Sequence, residues 1–218
     1  MRARLVCFVG TDGSGKSTAS DAMLHTLSKK GITCRKIWGA YELRFFRFAV
    51  KSVKRLMLKN PSPYGDYSKY KDDVAKATRR PFVTNVYTLM VFCEYWLQIF
   101  FNVTVPMSLG KTVVSDRYVY DTVINMSSNL GLDPQAFKRK LERWIKFFPK
   151  PDLVIYVEVP PEVSMARKDD IPDIEYVRKR HEYYRLLAGS LCPRIVDGTT
   201  PIKAIRDEMV TITEEVIR

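Results

Sequence analysis

The sequence lacks any C-x-x-C pair: Cys7, Cys34, Cys93 and Cys192 stand far apart along 218 residues. Zinc knuckles need thiolates at short fixed spacing and disulfide frameworks need a denser set, so both are excluded. The expectation is four buried free thiols in a reducing cytosol. Internal repeats and low-complexity tracts are also missing. Met1-Arg2-Ala3-Arg4 leads straight into an apolar strand pattern, which leaves no room for the apolar segment and cleavage site of a signal peptide. A cytoplasmic location is expected. Acidic side chains are the scarcer charge, 24 against 36 basic, for a formal net charge of +12. That balance favours acidic partners, whether nucleotide phosphates, nucleic acid or an anionic membrane surface, without choosing among them. The length suits a single α/β domain over 1–218 with a sizeable core.

What is present is organised around Gly10-Thr11-Asp12-Gly13-Ser14-Gly15-Lys16-Ser17-Thr18. It fits G-x-x-x-x-G-K-[ST], the phosphate-binding P-loop, and it has the required context: an apolar strand pattern over Leu5 to Val9 before it and helical spacing of Met23, Leu24 and Leu27 behind. Glycines let backbone N–H groups turn inward around polyphosphate. Lys16 can place its ammonium on the β/γ oxygens, and the Ser17 hydroxyl can take a Mg²⁺ coordination site at the helix N-terminus. Gly10, Asp12, Gly13, Ser14, Gly15, Lys16, Ser17 and Thr18 are the candidate nucleotide contacts. The alternative is a chance glycine-rich turn.

Strand and helix patterns alternate after the loop, which predicts a parallel sheet covered on both faces. A second strand spans Ile32 to Ile37. A basic amphipathic helix follows from Tyr41 to Leu58; its charges are either a solvated face or, through Arg44, a hold on an anionic acceptor. The turn-rich stretch 60–81 reads as an insertion or mobile loop, either a surface excursion or a flap carrying Arg79 and Arg80. Phe82 to Phe101 is apolar enough to invite a transmembrane reading, but Asn85, Glu94 and Gln98 interrupt it and Glu94 would be costly in a bilayer. A buried central helix, broad enough for a core and a dimer interface, is expected instead, with no membrane contact.

Thr112-Val113-Val114-Ser115-Asp116-Arg117-Tyr118 forms a second constellation, a short strand ending in Asp-Arg-Tyr. Ligand sites of open α/β sheets lie at the carboxyl ends of strands. Asp116 can therefore bind Mg²⁺ directly or through water, and Arg117 offers a planar fork of donors to phosphoryl oxygens. A strand-end ion pair is the alternative. Helices over Val119 to Asn129 and Pro134 to Phe148, a strand over Leu153 to Val159, and a helix from Pro160 that ends in the basic Arg167 and Lys168 complete the middle. Arg167, near a short lid over 167–173, is the candidate lid arginine, unless it is a solvated helix end. A helix over Ile174 to Leu187, a strand over Pro193 to Val196 and a helix over Ile202 to Ile217 finish the chain.

These residues resemble the thymidylate kinase family of P-loop nucleoside monophosphate kinases. The resemblance rests on Phe8 to Thr18, Ser115 to Tyr120, Pro151 to Glu162, and Val196 to Pro201 before the last helix. It implies a three-layer fold with five parallel strands, ATP and Mg²⁺ as cofactors, a nucleoside monophosphate acceptor and a homodimer. By position it implies Lys16 and Arg117 on the transferred phosphate, Asp12 near the acceptor sugar, Asp116 near the metal, and Asp197, Gly198 and the residues to Pro201 near the adenine.

The departures concern the acceptor. The long helix of family members offers an aromatic residue and, four positions on, an arginine to the thymine; here Val91 and Tyr95 stand there, with Phe92 adjacent. Ile124-Asn125-Met126 replaces a segment ending Ala-Tyr-Gln, and Trp38-Gly39-Ala40-Tyr41 replaces an arginine- and proline-rich segment. A rebuilt pocket using Phe92, Tyr95 or Asn125 is the expectation for dTMP. The alternatives are a kinase of another phosphorylated acceptor and a nucleotide-dependent regulator, whose GTPase form the missing N-K-x-D weakens. Positive charge alone suggests a nucleic-acid module, and none is expected.

Overall fold

Residues 2–42, 81–168 and 173–217 are described by a computed structural model. In chain order the elements are β1 (Leu5–Val9), α1 (Lys16–Lys29), β2 (Cys34–Trp38), α2 (Pro81–Ile99), a π-helical segment (Phe100–Thr104), α3 (Val105–Ser108) and β3 (Thr112–Asp116). There follow α4 (Val119–Leu130), α5 (Pro134–Ile145), β4 (Leu153–Glu158), α6 (Pro161–Ala166), α7 (Ile174–Leu191), β5 (Arg194–Asp197) and α8 (Ile202–Ile217). All strand pairs are parallel, in the order β2-β3-β1-β4-β5.

β1 lies at the centre of the sheet and is buried along its whole length. A strand covered on both faces needs apolar residues in succession, which is why Leu-Val-Cys-Phe-Val reads as a run. Its side chains still alternate between two cores. Leu5, Cys7 and Val9 join residues of α2, α4, α5 and α7, whereas Val6 and Phe8 join Ala19, Met23 and Leu27 of α1 and Ile205, Met209 and Ile212 of α8. The result is the expected three-layer α/β architecture, with helices on both sheet faces.

Several boundaries move. β2 begins at Cys34, α5 stops at Ile145, and α7 runs on to Leu191. Pro81 opens α2 instead of closing a loop, in keeping with proline's fitness for a first helical turn. The expected end of that helix at Phe101 is replaced by a π-helical turn and then α3. Within the turn Val105 N–H reaches the carbonyl of Phe100, and Pro106, which has no N–H to give, follows at once. Apart from Tyr41, Glu42 and Pro81, the helix expected over 41–58 with Arg44 and the insertion expected over 60–81 lie in 43–80, outside the described residues. So do residues 169–172 of the expected lid.

The expectation of four buried thiols is corrected. Cys7 is buried, Cys34 is half-buried, and Cys93 and Cys192 are exposed. α2 is likewise two-sided. Val91, Glu94, Tyr95, Gln98 and Ile99 face the core, while Leu89, Trp96 and Phe101 point outward. By length and composition Asn85–Ser108 is apolar enough to cross a membrane. Its inner face is nevertheless packed on the sheet, with Glu94 accepting a hydrogen bond from Tyr41 at 3.0 Å.

Tyr95 and its neighbours also tie β2's exit segment to α2. Tyr95 donates its hydroxyl proton to the Gly39 carbonyl at 2.7 Å, and Gln98 exchanges hydrogen bonds with the backbone N–H and C=O of Glu42. Gly39 has no substitute there. A Cβ would stand 2.1 Å from the Arg117 carbonyl oxygen and 2.2 Å from Ser115 Oγ.

Candidate active site

The P-loop connects the buried end of β1 to the N-terminus of α1. Gly10 adopts φ +147°, and a Cβ there would meet the Val157 carbonyl oxygen at 2.4 Å, so the turn requires glycine. The loop bends the chain so that Lys16 folds back inside it. Lys16 is buried, and its Nζ donates to the Thr11 carbonyl and to Ser14 Oγ at 3.3 Å. Burial first, then the charge of Arg117, lowers its pKa to about 8.

β3 delivers its end beside this loop because it pairs with β1, placing Asp116 across from Phe8. Asp116 is buried, accepts from Ser17 Oγ at 2.6 Å through Oδ2, and has no partner for its buried Oδ1 among the described residues. A hydroxyl and a carboxylate with a spare oxygen, next to a phosphate loop, fit Mg²⁺, which takes one or two protein oxygens and fills its octahedron with water and phosphate oxygens. Among the described residues no three or more His, Cys, Asp or Glu side chains cluster as metal ligands. The inward Lys16, the turned loop and the helix N-terminus fit the phosphates of ATP in the same way.

Arg117 follows immediately, in the left-handed region at φ +75°. For a residue with a Cβ this conformation costs about 1–2 kcal/mol. It is fixed by the bond from Arg117 N–H to the Phe8 carbonyl at 2.9 Å and by Ser115 Oγ donating to the Arg117 carbonyl. The guanidinium is buried between two carboxylates. Nη1 stands 3.4 Å from Asp121 Oδ1, Nη2 binds Asp12 Oδ1, and the indole of Trp38 lies 5.3 Å away. Burial opposes its charge, but Asp121 above all, with Asp12 and Asp116, raises its pKa further.

Asp121 is fully buried in the first turn of α4, where it accepts from Tyr118 N–H at 2.9 Å and from the Tyr184 hydroxyl at 2.6 Å. Burial raises its pKa against the pull of Arg117. Asp12 has a second cationic neighbour, Arg180 of α7, whose Nη1 lies 3.4 Å from Oδ2. Burial would raise the Asp12 pKa, yet Arg117, Lys16 and Arg180 together hold it below the ordinary carboxylate value.

A cleft of about 490 Å³ opens over these groups, a volume suited to a small molecule. Asp12, Lys16, Ser17, Thr18, Asp116 and Arg117 line its floor; Trp38 stands at one side, and Arg167, Lys168, Gly198, Thr200, Ile202 and Ile205 at the other. Arg167 donates to the Gly198 carbonyl at 2.8 Å and lies 3.4 Å from that of Gly13, so it spans the P-loop and the turn after β5.

Other expected contacts lie elsewhere. Asp197 does not line the cleft: its carboxylate accepts from the backbone N–H and hydroxyl of Thr199 at 2.8 and 2.6 Å and so shapes the turn that brings Gly198 there. Tyr95 is fully buried with its hydroxyl committed to Gly39, and Val91 is equally enclosed. Phe92 packs edge-on against Trp144, Phe147 and Phe148. Asn125 is half-buried on α4, away from the cleft lining. Among the described residues Tyr95 and Phe92 pack into or against the core, and none of Phe92, Tyr95 and Asn125 lines this cleft. Arg44 lies outside the described residues.

Arg180 and Asp121 are the residues that sequence reading missed. Arg180 looked like part of the basic run Arg178-Lys179-Arg180, but its helical phase carried a signal. Val177, Arg180, Tyr184 and Leu187 share the buried stripe of α7, and a charge on such a stripe requires a partner.

A sequence model described as thymidylate kinase matches residues 51–208, most of the chain but not the P-loop. Two relatives align over 231 positions that take in all of this chain and 97% of their own length. They are the thymidylate kinases of Legionella pneumophila strains Corby and Paris, at 24% and 23% identity.

Proposed function

Because the chain belongs to the thymidylate kinase family, we propose that it moves the γ-phosphoryl group of ATP to the phosphate of a nucleoside monophosphate, with dTMP the first candidate acceptor. The observation that carries this reading is the pair Ser17–Asp116, bonded at 2.6 Å with one Asp116 oxygen buried and unclaimed, directly beside Lys16 and Arg117. Mg²⁺ bound there supplies charge neutralisation of the polyphosphate. The protein's own part is positioning. Ser17 and Asp116 hold the metal, the loop N–H groups and Lys16 fix the β and γ oxygens, and Arg117 meets the charge that develops on the transferred group. An acceptor that is already a phosphate anion needs little help from a general base. Arg167, hinged between Gly13 and Gly198, is the lid arginine of this reading, and the chain acts as one domain.

The test is Mg²⁺- and ATP-dependent ADP release against a panel of dTMP, dUMP and other nucleoside monophosphates, with a control lacking acceptor and the product mass verified. Acceptor-dependent ADP and a product heavier by one phosphoryl group support the reading; free phosphate without acceptor would point to an ATPase. A different acceptor is the second reading, favoured by the enclosure of Val91 and Tyr95 at the positions where the resemblance places thymine recognition. Transfer to another panel member with none to dTMP selects it.

The reading includes a homodimer, which the family resemblance implies, formed through α2 and the π-helical segment. Leu89, Cys93 and Trp96 of α2 and Phe100 just after it recur at helical spacing on the outer face, and the Trp96 and Phe100 rings stack at 5.5 Å. Light scattering on a sizing column is expected to give about 51 kDa, twice the 25.3 kDa of the chain. The double change Leu89→Arg, Trp96→Glu is expected to halve that mass. A monomeric wild type would remove the assignment.

A further inference from the structure

We propose that Arg180 and Arg117 together form the seat of the acceptor's phosphate, and that the carboxylate of Asp12 occupies this seat while no acceptor is bound. The proposal rests on the phosphotransfer reading and adds to it a residue, a ligand group and an exchange.

The geometry is that of an anion held by two guanidinium groups. Asp12 gives one oxygen to each, Oδ1 to Arg117 and Oδ2 to Arg180 at 3.4 Å. Arg180 is unlike a surface cation. It is 9% exposed, its guanidinium lies 4.0 Å over the ring of Tyr176, and its buried Nε–H has no acceptor among the described residues. The long contact to Asp12 and the idle Nε–H both mark donor capacity that one carboxylate does not use. A phosphate carries more acceptor oxygens, and a guanidinium takes it through two parallel bonds. It can therefore engage Nε and an Nη of Arg180 together while it touches Arg117.

The occupant is able to leave. The Asp12 side chain is 35% exposed, whereas those of Arg117 and Arg180 are 9% and 11% exposed and are held on their far sides by Asp121 and Tyr176. An arriving phosphate displaces the carboxylate and leaves the arginines where they stand. Asp12 is then free to accept a hydrogen bond from an acceptor hydroxyl, the role that the family resemblance implies.

Full-length protein saturated with Mg²⁺ and a non-hydrolysable ATP analogue, so that the P-loop is filled, is titrated with inorganic phosphate by calorimetry. Wild type is expected to bind one phosphate; Arg180→Met is expected to weaken it about tenfold and Arg180→Lys by less than threefold, with analogue affinity within twofold in both. Asp12→Asn is expected to tighten phosphate binding, because the resident anion has lost its charge. No binding to wild type, unchanged affinity in a folded Arg180→Met protein, or no gain in Asp12→Asn would each overturn the proposal. If Arg180→Met fails to fold, the Asp12→Asn arm decides. On the acceptor that the panel identifies, Arg180→Met is expected to raise KM for acceptor more than it lowers kcat. A panel that yields no phosphoryl transfer refutes the kinase reading while the phosphate titration still reports on the seat.

Discussion

Arg117→Met is expected to lower kcat by about a thousandfold, the order found when a preorganised arginine is removed from a phosphoryl-transfer site. The same change is expected to destabilise the fold, for a separate reason. Arg117 is the cation facing Asp121, which has no exposed surface, and removing one partner of a buried pair leaves the other without compensation, at a cost of about 3–5 kcal/mol. Asp121 limits the cost by taking a proton, since burial already raises its pKa. The two effects separate in the double variant Arg117→Met, Asp121→Asn. Its melting temperature is expected to return most of the way to wild type while turnover stays low. Steady-state kinetics and thermal unfolding check both limbs. Turnover within tenfold of wild type in the single variant would remove Arg117 from the transfer step.

Lys16→Met is expected to abolish useful turnover, with kcat/KM down by at least about a hundredfold, and yet to make the protein more stable at neutral pH. The ammonium lies inside the loop at a burial cost that lowers its pKa from the ordinary 10.5 to about 8. Below pH 8 folded and unfolded chains both carry the proton, so the cost is present in full. Between pH 8 and 10.5 Lys16 binds more protons in the unfolded chain than in the folded one, so its own contribution to the unfolding free energy rises with pH across that window. Buried Cys7 and the buried tyrosines set the opposite trend. Methionine fills similar volume without charge, removes up to about 3 kcal/mol of this cost at pH 7, and removes this contribution to the pH dependence, so its stability advantage over wild type shrinks from pH 7 to pH 10. Urea titrations at pH 7 and pH 10 on both proteins measure it. A variant less stable than wild type at pH 7, or a stability difference between the two proteins that is the same at pH 7 and pH 10, would contradict the assignment.

The parts of the site that were legible in the sequence are those whose chemistry is local. Gly10 to Thr18 carries its own turn, donors and helix start, and Asp116 and Arg117 stand at a strand end where an α/β sheet gathers its ligands. The strand positions were legible too, since a parallel sheet covered on both faces demands unbroken apolar runs such as Leu5 to Val9. Arg180 was not, because its role arises only when α7 brings it to Asp12, 168 residues earlier. Tyr95 and Phe92 are ambiguous in the sequence for the opposite reason. An aromatic ring on a long apolar helix serves a core or a ligand equally well, and only packing decides between them. Trp38 departs from the family pattern already in the sequence, but its place in the cleft depends on pairing with Asp116 across β2 and β3.

The strand order has a consequence for how the molecule is made. β1 is translated first, yet the chain it pairs with lies far downstream: Arg4 bonds to Thr112 across 108 residues, and Leu5 bonds to Asp152 across 147. At about 5–20 residues per second, on the order of ten seconds or more separates the ribosome's release of β1 from that of β4. Until β3 follows, Leu-Val-Cys-Phe-Val has neither sheet neighbour, and until β4 follows it still lacks one of the two. The strand that leads into the Gly10–Thr18 loop is thus a segment of nascent chain in need of shelter, and the loop cannot take its final shape until β4, ending at Glu158, has been synthesised.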